Sequence, residues 1–246
     1  TKVLGIHYHR NYSASDTTTA NQSAKYGVDG QKLDANPWGR AGYAFLGWST
    51  DKNATKAEYS NQQSVSNDWI DTKYPNMRGA VWKANTLTVR YHNDGAQKWN
   101  SYTNGVINVE GKDVVATETV KYDEDYAHWE AGLLNVNRFT RNGYHDNGNW
   151  KIGSKTSTNK VKDAGGTLPN SKGQGLATYL GVINVFEKGD VTVDLYPEWI
   201  ANTYTVKYNG NGENSGTTPS SSHTYDTAKN LTANGYIKNG YQFVGW

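Results

Sequence analysis

Four tryptophans are the residues best placed to do chemistry: Trp38, Trp69, Trp99 and Trp129. None belongs to a recurring pattern, and all fall in loop-like or inserted stretches. A flat indole there could stack on a pyranose or anchor a protein partner, and loops on a rigid scaffold are where recognition concentrates. These four are the ligand-binding candidates. The structural alternative is that each plugs a small local core, because Trp is on average well buried. His7 and His9 stand two apart on a strand-like segment and face one way, the spacing of a zinc pair. No third ligand is identifiable, so no metal site is expected. Asp123-Glu124-Asp125 lacks the spaced oxygen ligands of a calcium loop and reads as a solvated acidic turn. No nucleophile elbow, phosphate-binding loop or dinucleotide fingerprint occurs, and the 23 acidic residues are spread along the chain, suggesting no dedicated cleft. No motif marks a Lys–Asn isopeptide bond. No catalytic residue and no cofactor is expected.

The elements that must carry these residues repeat. Trp82-Lys83-Ala84-Asn85-Thr86-Leu87-Thr88-Val89-Arg90-Tyr91 matches Trp199-Ile200-Ala201-Asn202-Thr203-Tyr204-Thr205-Val206-Lys207-Tyr208. Gly42-Tyr43-Ala44-Phe45-Leu46-Gly47-Trp48 matches Gly240-Tyr241-Gln242-Phe243-Val244-Gly245-Trp246. A degenerate copy runs from Gly143-Tyr144 to Trp150, one residue longer and without the Phe. Arg40, Arg141 and Lys238 each precede the Gly by two positions. A tyrosine segment lies between these signatures, at Tyr26-Gly27, Tyr122-Asp123 and Tyr225-Asp226. These matches predict three repeat modules: 1–85, a divergent 86–202 with insertions near 96–117 and 124–139, and 203–246. The last lacks the closing segment seen at Trp82 and Trp199, so it is expected to be the least stable part.

Alternation of Tyr204, Val206 and Tyr208 with polar residues predicts a half-buried strand, and Asn209-Gly210-Asn211-Gly212 a turn. Pro197 is expected at a strand end or edge. Tyr126, Trp129, Leu133, Val136 and Phe139 form the best amphipathic stripe, within Glu124 to Phe139. Gly173-Gln174-Gly175 reads as loop. The fold expected is α+β and strand-dominated, an elongated array of small modules joined through Ala-Asn-Thr links.

Composition agrees. The 246 residues are 35% hydrophobic with a mean hydropathy of −0.83, too polar for one large core and suited to several small ones. Nine Trp and 18 Tyr against 4 Phe argue against bulk disorder. The absence of Cys excludes disulfides and cysteine catalysis. A net charge of +2 gives no reason to expect nucleic acid as a partner. No apolar run is long enough to span a membrane. With no initiator Met and no signal peptide at Thr1, a fragment or processed product is expected, monomeric within a longer chain.

These motifs carry a family resemblance. The T-V-x-Y strand with its N-G turn, the central Tyr, the G-Y-x-F-x-G-W signature and the closing strand ending in Trp resemble the Listeria–Bacteroides repeat, the B repeat of internalin-type surface proteins. The resemblance is strongest at Thr205 to Gly212 and Gly240 to Trp246, and weakest in the insertions of 86–202. It implies a ubiquitin-like β-grasp module and an extracellular, cell-surface or secreted setting, expected to be Gram-positive. It implies no enzymatic activity. The expected role is a stalk or spacer with adhesion to a host or cell-wall glycan or protein. The alternatives are a carbohydrate-binding module or an accessory region of a large extracellular glycoside hydrolase.

Overall fold

The computed structural model describes residues 2–66, 76–101, 105–126, 139–162 and 172–246. The chain opens with β1 (Val3–His9), β2 (Thr19–Lys25), short β3 (Gln31–Lys32), β4 (Tyr43–Ser49), short β5 (Ser64–Val65) and β6 (Asn76–Ala84). Four of these form a mixed sheet in the order β2-β1-β6-β4. The central pair β1–β6 is parallel and its flanks are antiparallel. Alternation along β1 turns Ile6 and Tyr8 inward, where they meet Ala24, Leu33, Trp48, Val65 and Ala80. The Tyr8 and Trp48 rings lie 4.5 Å apart. Burial pushes the Tyr8 hydroxyl up to about 12.

The next elements are β7 (Thr86–His92), β8 (Lys98–Ser101), β9 (Gly105–Asn108), β10 (Val114–Lys121), β11 (Phe139–Thr140), β12 (Tyr144–Ile152), β13 (Lys160–Lys162), α1 (Gly173–Tyr179), α2 (Ile183–Phe186) and β14 (Val191–Ala201). A five-stranded sheet runs β10-β7-β14-β12-β13, the order of the first sheet with β13 added. Tyr91 and Trp150 take the places of Tyr8 and Trp48, with rings 5.3 Å apart. The insertion near 96–117 becomes a hairpin of β8 and β9, joined by β11. Residues 203–246 pair β15 (Thr203–Val206) with β17 (Ser221–Thr224), and β16 (Ser215–Gly216) with β18 (Tyr236–Ile237). Their signature segment lies in no strand and is open to solvent: Tyr241 is 74% exposed and Val244 97%.

Contacts divide the chain into two compact units, one of 1–89, 118–127 and 168–193, the other of 90–117, 128–167 and 194–246.

Among the described residues the strand-dominated expectation holds, with several small sheets and two short helices at 173–179 and 183–186. Most of the stripe proposed within 124–139 (127–138) lies outside the described residues, and Phe139 opens β11 instead. The helix α1 forms at the glycines read as loop. Gly173 is needed there because a Cβ would strike the Lys121 carbonyl oxygen, and Leu176 and Leu180, four apart, supply the buried face. Pro197 is neither at a strand end nor on an edge. It sits inside β14, between β7 and β12, opposite Trp150 where the β12–β14 register shifts. A ladder interrupted there does not require the N–H that proline lacks.

The first sheet has the same irregularity between Phe45 and Gly47. Gly47 has φ +139, and a Cβ on it would run into the Tyr59 carbonyl. Gly245, at φ +153, has open space around it. Gly47→Ala should therefore destabilise the fold by roughly 2–4 kcal/mol and Gly245→Ala by only about 1 kcal/mol, read as denaturant midpoints.

Candidate functional site

The tryptophan candidates meet different fates. Trp99, in β8, is 4% exposed and stacks on Phe139, and its indole N–H finds no acceptor among the described residues. Trp38 is half-buried and packs edge-on at 6.2 Å from Trp48. Trp69 and Trp129 lie outside the described residues. His7 bonds the Asn21 side chain at 2.6 Å. Among the described residues no three His, Cys, Asp or Glu side chains gather as a metal site.

What the structure does bring together is a joint, built twice. Only Asn85 separates β6 from β7, and only Asn202 separates β14 from β15. Asn85 donates its backbone N–H to the Gly42 carbonyl (2.8 Å) and accepts from the Tyr122 N–H (3.0 Å). Asn202 donates to Gly143 (2.8 Å) and accepts from Tyr225 (2.9 Å). Gly42 and Gly143 have φ of +77 and +79, a left-handed turn that suits glycine. The Tyr122 ring lies directly on Gly42 and the Tyr225 ring on Gly143, so that a Cβ at either glycine would sink into the ring.

The residue after each glycine completes the contact. Tyr43 donates its hydroxyl to Asp123, and Tyr144 donates to Asp226 at 2.9 Å. Arg40 lies over the Tyr43 ring at 3.5 Å and Arg141 over Tyr144 at 4.1 Å, cation–π contacts of about 0.5–1 kcal/mol at partly exposed sites. Arg40 also reaches Asp123 at 4.0 Å. Burial first, and the bond to Asp123 second, push the Tyr43 hydroxyl up to about 12.

The first joint is also buttressed. Asn85, 2% exposed, donates its side-chain amide to the Phe186 carbonyl at 2.7 Å, so its backbone N–H and C=O and its amide N–H are all paired. Gly42 donates its N–H to the Glu187 carbonyl at 2.9 Å. Asp190 accepts from the Thr86 N–H (2.7 Å) and from Lys83 (3.0 Å), which holds its carboxyl below the usual range. These partners come from α2 and the turn after it.

Asp123 is thus a joint residue rather than a free acidic turn. Its signal was the Tyr-Asp pair recurring at 122–123 and 225–226, but nothing in the spacing names its partner, 80 residues away in the chain.

Two clefts also recur at matching corners. One of about 540 Å³ is lined by His9, Asn11, Asp16 and Lys52 among others, the other of about 560 Å³ by Asp94, Asp113, Lys155 and Tyr196. Asn11 and Asp94, each three residues beyond the strand tyrosine, are left-handed at φ +57 and +42. Burial pushes the Asp94 carboxyl up, against the pull of Arg141 and Lys155.

The raised tyrosines give a sign. A hydroxyl whose folded value lies above its unfolded value of about 10 contributes stability below that pH and loses it as pH rises through about 12. A spectrophotometric titration should show Tyr8 and Tyr43 ionising late, and Asp123→Ala should move Tyr43 down without moving Tyr8.

Among the described residues no helix is long and apolar enough to cross a membrane. No curated protein and no solved structure matches the chain. The Listeria-Bacteroides repeat domain matches residues 8–70 and 204–246. Two stretches of this chain are therefore similar to the Listeria-Bacteroides repeat, a non-catalytic family typical of the repeat regions of bacterial surface proteins.

Proposed function

We propose that this chain is a spacer: β-grasp modules 1–85, 86–202 and 203–246, held in a fixed angular relation by the Asn85 and Asn202 joints. It would act extracellularly, on a bacterial surface or in a secreted protein, and present an adhesive region to a host or cell-wall glycan or protein. The observation that carries the reading is the repetition of one joint at both linkers. A flexible tether needs no such contacts, and a joint with an asparagine backbone paired on both sides and a ring on a bare glycine costs freedom that only a fixed angle would use. The β-grasp reading is supported by the parallel pair β1–β6 flanked by antiparallel strands.

The joint residues give the test. A compact chain of this length would have a radius of gyration of about 18 Å. The spacer reading expects a clearly larger value in small-angle scattering. It also expects Tyr122→Ala combined with Tyr225→Ala to broaden the distribution of distances between spin labels placed on the first and second sheets. A value near the compact limit, or an unchanged distribution in the double variant, rejects it. Gly42→Ala should act like Tyr122→Ala, at a cost on the order of 3 kcal/mol, since the ring must leave its seat.

A second reading, a carbohydrate-binding module, is favoured by the recurrence of the polar clefts at one corner. It expects glycan-array signal that Asp94→Ala reduces at least tenfold. An array without signal leaves the spacer reading alone.

A further inference from the structure

The second sheet departs from the first in three places, and all three meet at one point. Its signature carries an extra residue, Asp146-Asn147-Gly148-Asn149 before Trp150, absorbed where the β12–β14 register shifts. It gains a strand, β13, paired to β12 with Asn149 opposite Lys162 and Lys151 opposite Lys160. It also carries Glu198, next to Pro197, where the register of the first sheet places Val81.

Glu198 lies between the other two changes. One carboxylate oxygen receives the Lys160 ammonium. The other accepts from the Asn147 amide at 2.7 Å and from the Asn149 amide at 2.8 Å. The carboxylate is only 12% exposed, against 40% for Lys160. An amine and a carboxamide thus face each other across one largely buried carboxyl group. Those are the three parts of an amide-exchange reaction: a nucleophile, an electrophile and a proton carrier held in reach of both.

We propose that Lys160 and Asn149 become joined by an isopeptide bond, with Glu198 as the proton carrier. The Lys160 amine, having given a proton to Glu198, attacks Cγ of Asn149, and a new Nζ–Cγ bond forms. Glu198 then returns the proton to the departing amide nitrogen, the old C–N bond breaks, and the second proton of Nζ follows by the same carboxylate, so that the nitrogen leaves as ammonium. Nothing is oxidised or reduced, and the carboxylate is regenerated. Asn149 is the electrophile rather than Asn147 for two reasons. The Asn147 side-chain oxygen is already engaged by the Asn149 N–H at 3.1 Å. Asn149 also stands opposite Lys162, whose side chain shares its face of the strand with Lys160. The bond would tie the edge strand β13 covalently to β12.

Intact-mass measurement of the full chain tests this. The expected mass is about 17 Da below that of the sequence, one ammonia. Peptide mapping should then yield a branched peptide joining the segments that contain Lys160 and Asn149. The branch is the deciding readout, because ring closure at Asn147-Gly148 also releases ammonia but leaves the peptides linear. Glu198→Gln should restore the full mass, and Lys160→Arg should do so too if the first variant fails to fold. A full-mass wild type that returns both segments as linear peptides after prolonged incubation at neutral and alkaline pH shows an ion pair only, and overturns the proposal. So does a branched peptide that persists in Lys160→Arg.

Discussion

The chain has one residue in which to leave the last strand of a sheet and enter the first strand of the next. A backbone passing through so short a link has no loop in which to spend its polar groups, and they pair with whatever folding brings beside them. Asn85 and Asn202 find the same partners: the carbonyl of a left-handed glycine behind, and the N–H of a tyrosine ahead. Everything else at the joints follows from that pairing. The glycine must be bare because the tyrosine ring arrives on its α-carbon. The next residue is a tyrosine whose hydroxyl meets the aspartate after the ring, and a guanidinium covers it.

This constraint accounts for the division of the chain into compact units. Gly42, Asn85 and Tyr122 fall in one unit; Gly143, Asn202 and Tyr225 fall in the other. Each unit contains a complete joint. The helical stretch before β14 adds to the first joint through Phe186, Glu187 and Asp190.

Strands were legible because alternation has a period of two and the tyrosine and tryptophan of each core recur. Tyr8 and Trp48 reappear as Tyr91 and Trp150, and as Tyr208 and Trp246, whose rings are again 4.5 Å apart. Half of the joint could be read as well, as the Ala-Asn-Thr link and the Tyr-Asp pair. Its other half could not, since Gly42 and Tyr122 are brought together only by folding. The helix α1 was hidden because its first residue, Gly173, serves a close approach to β10 rather than helix propensity. Pro197 misled because the register shift that makes it harmless lies on the neighbouring strand. Lys160, Glu198 and Asn149 carry no linear motif at all: three different strands deliver them.

The parallel pairing of β1 with β6 has a mechanical consequence. Ile6 to His9 run alongside Asn76 to Gly79 in the same direction. The first strand is entered at its near end and the last strand is left at its far end. A tension applied through the chain at these two points pulls the strands past one another along their length. The rungs between them are then loaded together, in shear, and must fail as a group. Had the pair been antiparallel and joined by a hairpin, the same pull would have opened the rungs one after another, like a zip.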